Sequence, residues 1–126
     1  MVNNINLEVL KKADSVLAKF MKNDKTEQEQ AGIIQSFEYC YELSWKIMKK
    51  VLYSEGLEVS TPKQVIREAG AAKIIDDVKL WIEFANKRNL TVHTYNELVL
   101  KDIMKIMPQF KKELSKLIKE LEDRVK

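Results

Sequence analysis

Leu100, Ile103, Met107, Phe110, Leu114, Leu117 and Leu121 recur at alternating intervals of three and four without a miss. That spacing returns each apolar side chain to one face of a helix, whereas a strand would scatter them over both faces. The result is a heptad seam, and a seam of this length must lie against other helices. The rest of the chain permits that, because only three glycines and two prolines occur in 126 residues. So few breakers predict long helices joined by few connections. Pro108 interrupts the seam, which predicts a kink or local break at Met107.

Four further helices are expected upstream. The first runs from Leu7 to about Lys22, with Asn6 as its cap and Leu10, Ala13, Leu17 and Phe20 as its apolar stripe. Thr26 with Glu29 forms a capping box that opens a second helix, ending near Glu55 at Gly56. This helix carries two neighbouring apolar rows. One is Ile34, Tyr41, Trp45, Met48 and Leu52; the other is Ile33, Phe37, Cys40, Ile47 and Val51. So broad a face suits a deeply buried central helix, and part of it suits a subunit interface. Thr61 and Pro62 start a short third helix that stops near Gly70. Asp76 or Asp77 caps the fourth, whose apolar face is Ile74, Val78, Trp81, Ile82 and Ala85 and which runs to about Arg88. The expected architecture is all-α: an antiparallel up-down four-helix bundle with one short extra helix, in a single domain over residues 1–126.

Composition narrows the function classes. Lysines and arginines outnumber acids by 22 to 19, a net charge of +3 that permits nucleic-acid binding without establishing it. No apolar run approaches the roughly 18–20 residues of a membrane span. The polar start reads as no signal peptide. A lone cysteine, Cys40, and a lone histidine, His93, leave no disulfide and no Cys/His metal cluster. No cofactor or metal is expected, and a reducing cytoplasm is the expected home.

The polar chemistry gathers in Arg88-Asn89-Leu90-Thr91-Val92-His93-Thr94-Tyr95. On an unbroken helix Arg88 and His93 would point about 140° apart, at roughly 100° per residue. Thr91, Val92 and Thr94 are β-branched and weaken a helix there. Thr94 with Glu97 reads as a further capping box, so a break is expected with Thr94 as N-cap and Tyr95 in the first turn of the last helix. Such a break would let Arg88 and His93 share one space, beside free backbone N–H groups suited to a phosphate. An arginine fork can stabilise phosphate charge, and a histidine can move protons near neutrality. Arginine and histidine at a loop also occur together without catalysis, and a lone histidine at a helix junction is often structural.

Three segments carry a resemblance: Phe37-Glu38-Tyr39-Cys40-Tyr41-Glu42-Leu43-Ser44-Trp45-Lys46, Thr61-Pro62-Lys63-Gln64-Val65-Ile66-Arg67-Glu68-Ala69, and the 88–95 stretch. In order and spacing they resemble the HEPN family, in its branch of nucleotidyltransferase substrate-binding proteins. The resemblance implies a four-helix bundle that forms a homodimer. It implies a site made of Arg88, the polar Asn89 and His93, shared across the dimer interface and acting in many members as a metal-independent ribonuclease. It implies a small nucleotidyltransferase partner, in some pairs related as toxin and antitoxin. There the partner silences the HEPN protein by attaching AMP to the tyrosine two residues after the histidine, which here is Tyr95. The alternative within the family is a non-catalytic subunit that binds nucleotide or another substrate in the bundle cleft for its partner.

The chain does not resemble that transferase itself, since it lacks a Gly-Ser motif followed by paired aspartates. Glu42 and Arg67 are placed near the cleft by the family reading. From spacing alone Glu38, Glu42 and Lys46 are expected to pair along their helix, Arg67 to be solvated, and Tyr41 and Trp45 to pack in the core.

Overall fold

A computed structural model describes residues 5–125. Its α-helices are α1 (Glu8–Phe20), α2 (Glu27–Ser54), α3 (Pro62–Ala71), α4 (Val78–Leu90) and α5 (Glu97–Arg124), with a 3-10 turn at Thr91–His93 between α4 and α5. Among the described residues there is no strand. The chain is an all-α bundle of four long helices, α1, α2, α4 and α5, with α3 as the short extra helix.

The expected starts are made by side chains. Thr26 and Glu29 form the capping box of α2, and Thr61 and Gln64 form a second one ahead of Pro62 in α3. Asp77, not Asp76, caps α4 by accepting from the Leu80 N–H at 3.0 Å. At α1 the N-cap is Leu7, which makes no side-chain cap; the expected cap Asn6 stands one residue earlier and its side chain accepts from the Glu8 N–H at 2.8 Å. Gly56 closes α2 with a φ of 95°, a left-handed conformation that costs other residues more.

Helix α2 touches all four other helices, so both of its apolar rows are covered from within the chain. Every member is buried except Trp45, which is half-buried. The centre of the core is aromatic. Phe110 of α5 meets Phe37 of α2 edge-on at 4.8 Å between ring centres, and Phe84 of α4 at 5.1 Å. Trp81 packs on Phe84 at 5.1 Å. Edge-to-face contacts of this kind add directionality to burial. Phe84 is missing from the expected face of α4, where Val78 and Ile82 turn out only half-buried. Lys11–Glu122 at 2.6 Å and Lys111–Asp14 at 2.9 Å tie α1 to α5 outside the core.

The seam of α5 is buried from Ile103 to Leu121, with Leu100 half-buried. The expected break at Met107 does not occur: α5 runs on through Pro108. Pro108 lies on the solvent face, where water can satisfy the carbonyl that loses its helical N–H partner.

Candidate functional site at the α4–α5 junction

Helix α4 ends because its last residues meet a β-branched run. Leu90 is followed by the 3-10 turn Thr91–His93, closed by a bond from the Asn96 N–H to the His93 carbonyl at 3.0 Å. The expected cap at Thr94 is a correction. Thr94 has φ −70° and ψ −8°, a helical conformation inside the turn, whereas an N-cap is extended. Asn96, at φ −90° and ψ 119°, takes that role and accepts from the N–H groups of Leu98 (2.9 Å) and Val99 (3.4 Å). Tyr95 therefore precedes α5 and does not belong to its first turn.

The turn sends the site residues in different directions. The Arg88 side chain lies inward against α2. Its Nη1 is 3.4 Å from Glu38 Oε2, and its Nε is 3.3 Å from Glu42 Oε1, off-axis for a hydrogen bond. The Thr91 hydroxyl joins this group. It stands 2.8 Å from Glu38 Oε2 and 2.7 Å from the Arg88 carbonyl, and it accepts from Arg88 Nη1 at 3.3 Å. A hydroxyl has one proton, so it donates to one of those oxygens at a time. The other oxygen of Glu42 accepts from the Trp45 indole N–H at 3.0 Å. Two carboxylates around one guanidinium leave this cluster with a net negative charge when all three are ionised. The expected pairing of Glu38 and Glu42 with Lys46 is thus a second correction, since both carboxylates turn to Arg88.

His93 and Tyr95 face outward. Both are exposed, Tyr95 by 82%. His93 Nδ1 lies 3.3 Å from the Tyr95 hydroxyl, and the rings meet edge-on at 5.8 Å. Which of the two donates depends on the histidine tautomer, and the contact engages Nδ1 alone, leaving Nε2 with no hydrogen bond among the described residues. Asn89 is exposed. No hydrogen bond or ion pair joins Arg88 to His93 among the described residues, so one chain does not bring the two groups into contact. Val92 (68% exposed) and Leu98 (76% exposed), which flank His93 and Tyr95 in the sequence, add exposed apolar side chains to the junction.

Of the expected cleft residues, Glu42 belongs to the Arg88 cluster. Arg67 is exposed on α3 and has no hydrogen bond or ion pair with that cluster among the described residues. Thr91 and Glu38 are the residues whose role in holding Arg88 the spacing alone did not reveal. Beneath them lies Tyr41, which is buried with no partner for its hydroxyl; burial first, and then the Glu42 carboxylate, push its pKa up. Cys40 is no nucleophile at neutral pH, because burial pushes its thiol up to about 12. Among the described residues no group of histidine, cysteine and carboxylate side chains could hold a metal ion, and no helix is long and apolar enough to cross a membrane. Alongside Glu38 and Glu42, a cavity of about 680 Å³ opens between α1 and α2, walled by Val16, Phe20 and Tyr39.

Known proteins resemble this chain in sequence and in fold. A "Probable ribonuclease HepT" of Haemophilus influenzae is 33% identical over 99 residues, which span 75% of this chain and 68% of that protein. A crystal structure of a Thermus thermophilus protein superposes with a TM-score of 0.83 at 32% identity, covering 89% of this chain and 98% of the other. A Haemophilus influenzae structure, described as revealing the fold of a substrate binding domain of a nucleotidyltransferase, gives 0.85 at 28% identity over 93% and 99% of the two chains. The family model for nucleotidyltransferase substrate binding protein-like sequences matches residues 5–123. With nearly the whole chain matched in sequence and in fold, the protein belongs to the nucleotidyltransferase substrate binding protein-like family.

Proposed function

We propose that this protein is the HEPN-type partner of a small nucleotidyltransferase and cleaves RNA at a site built from Arg88, Asn89 and His93 of two copies of the chain. One observation carries this reading. His93 stands exposed on a short turn with Nε2 free, directly after the helix end that holds Arg88. The kinship with a probable ribonuclease adds to it. A homodimer supplies what one chain lacks, because a second copy adds another Arg88 and another His93 to the same apolar-rimmed surface.

In the proposed reaction the ribose 2′-hydroxyl attacks the adjacent phosphorus, and the bond to the 5′-oxygen breaks. One His93 accepts the 2′-hydroxyl proton, and the His93 of the other copy gives a proton to the departing 5′-oxygen. Arg88 stabilises the charge that builds on the phosphate oxygens. The products are a 2′,3′-cyclic phosphate and a free 5′-hydroxyl, so atoms and protons balance with no further reactant.

Tyr95 is the proposed control point. Its hydroxyl is 3.3 Å from His93 Nδ1, so AMP attached there would set an anionic, bulky group against the imidazole and compete with RNA phosphate for Arg88.

The test is RNA cleavage by the purified chain in EDTA, with His93→Ala as control. The expected loss is about 10²-fold or more, the usual worth of a positioned acid or base. Cyclic-phosphate ends should appear only with the wild type. Incubation with the partner enzyme and ATP should add the mass of one AMP and stop cleavage, while Tyr95→Phe should gain no mass and stay active. Equal silencing of Tyr95→Phe would sink the control mechanism.

A second reading has its own observation. Arg88 is already held by two carboxylates and does not touch His93, as suits a subunit that binds substrate for its partner without chemistry of its own. Absence of cleavage under any condition, with tight binding to the nucleotidyltransferase, would decide for it.

A further inference from the structure

Helix α2 carries the Arg88 cluster and something else on the same face. Counting from Glu42, the residues Lys46, Lys49, Lys50 and Tyr53 follow at four, seven, eight and eleven. At about 100° per residue all of them stay within roughly 100° of arc, on one stripe of the helix surface. The stripe rises about 17 Å from Glu42 to Tyr53, at 1.5 Å per residue. It forms one wall of a groove of about 610 Å³ that also takes in Trp45 and, at its far end, Glu58.

The lysines on this stripe are in no ion pair among the described residues. Lys11, Lys87, Lys111 and Lys116 all sit within 4.0 Å of carboxylates. Among the described residues Lys46, Lys49 and Lys50 do not. Tyr53, 67% exposed, has no ring partner there and presents an open π-face at the lysine end of the groove. Trp45 joins groove to site: its ring lines the groove while its N–H is fixed on the carboxylate of Glu42, which also faces Arg88. Lysines in series suit a chain of phosphates better than a single anion. An aromatic face among them suits an unpaired base, because base–aromatic stacking tolerates any sequence.

We infer that the Lys46, Lys49, Lys50 and Tyr53 stripe is a subsite for single-stranded RNA, holding the strand that flanks the phosphate presented to Arg88. The RNA identity rests on the ribonuclease reading above; the stripe itself rests on its charge and ring. The carboxylate of Glu58 repels phosphate and bounds the track at the end away from Arg88, while at the near end the Glu42 carboxylate is turned to Arg88 and the Trp45 N–H.

The probe is a fluorescein-labelled single-stranded RNA of about 16 nucleotides, the upper end of common site sizes, read by anisotropy in a His93→Ala background so that the strand stays intact. Replacing the lysines together (Lys46→Gln, Lys49→Gln, Lys50→Gln) should weaken binding tenfold or more near 0.1 M salt. The slope of log K against log salt should flatten by about 2, near 0.7 for each lost phosphate contact. Tyr53→Ala should cost about fivefold or more, and Tyr53→Phe, which keeps the ring, less than about twofold. Circular dichroism should show unchanged helicity in every variant, because the substituted side chains lie on the surface.

Unchanged affinity and salt slope in the lysine variant would overturn the subsite, even if the wild type cleaves RNA. So would a lysine variant that binds RNA normally but loses the nucleotidyltransferase, which would make the stripe that partner's docking face. Binding that depends on the lysines in a wild type that cuts nothing would leave the subsite standing and remove the ribonuclease reading. Failure of the His93→Ala chain to bind RNA at all would overturn the inference outright.

Discussion

Arg88 is the residue on which the proposed chemistry depends, and two carboxylates hold it. Glu38 and Glu42 hold the guanidinium at 3.4 and 3.3 Å, and Thr91 bridges Arg88 to Glu38. The side chains are between a quarter and about a third exposed, so solvent screens the pairs and their worth to folding is small. Their effect on RNA should be larger. The carboxylates aim the arginine but also repel phosphate. Glu38→Gln combined with Glu42→Gln should therefore lower KM for RNA several-fold and lower kcat as well, since Arg88 gains charge to offer and loses its fixed orientation. Steady-state cleavage kinetics check the split; a fall in kcat with KM unchanged would argue against the repulsion. Arg88, His93 and Tyr95 stand out in the sequence by residue type. Glu38 stands 50 positions before Arg88 and carries no local mark, since only the packing of α4 on α2 makes the two neighbours.

At the scale of elements, three of the five α-helix starts follow from N-cap side chains that the sequence displays, and a fourth, that of α1, lies beside Asn6, the residue before its N-cap Leu7. The fifth shows where such reading fails. Thr94-Tyr95-Asn96-Glu97 has the pattern of a capping box, yet the β-branched residues before it wind into a 3-10 turn that extends helical backbone through Thr94. Asn96 is the first residue free to become extended, so it caps α5. Pro108 misleads in the opposite direction, because its place on the wet face lets α5 continue. The turn from α3 to α4 depends on a different detail. A Cβ at Gly70 would overlap the Val78 side chain at the start of α4. Gly70→Ala should thus destabilise the fold by about 1–3 kcal/mol through forced displacement, rather than stabilise the helix as Ala usually does. Thermal or urea unfolding measures this, and an unchanged or raised midpoint would mean that α3 and α4 part without cost.

For the whole molecule, the ribonuclease reading requires more than one chain, because Arg88 and His93 face different ways within a single copy. Complementation tests this. Arg88→Ala and His93→Ala, each inactive alone, should recover part of the activity when mixed under conditions that let subunits exchange. A heterodimer keeps one arginine and one histidine across the interface, so phosphate stabilisation and one of the two proposed proton transfers remain and the recovery is partial. Recovery should grow with protein concentration and vanish if Val92 and Leu98, the apolar rim of the junction, are replaced by charged residues. No recovery despite proven exchange would place the working site within one chain.

By itself the sequence determined the helical class, most helix boundaries, the apolar seam of α5 and the residue types of the junction. Periodicity, caps and breakers act over a few residues, and a local code can be read locally. Only the tertiary structure decided that α2's two apolar rows are both covered from within, that Glu38 and Glu42 turn to Arg88 rather than to Lys46, and that Arg88 and His93 part company. Those outcomes depend on which helices pack together and on how a short turn aims its side chains. Such contacts join residues far apart in the chain, and spacing along the sequence does not encode them.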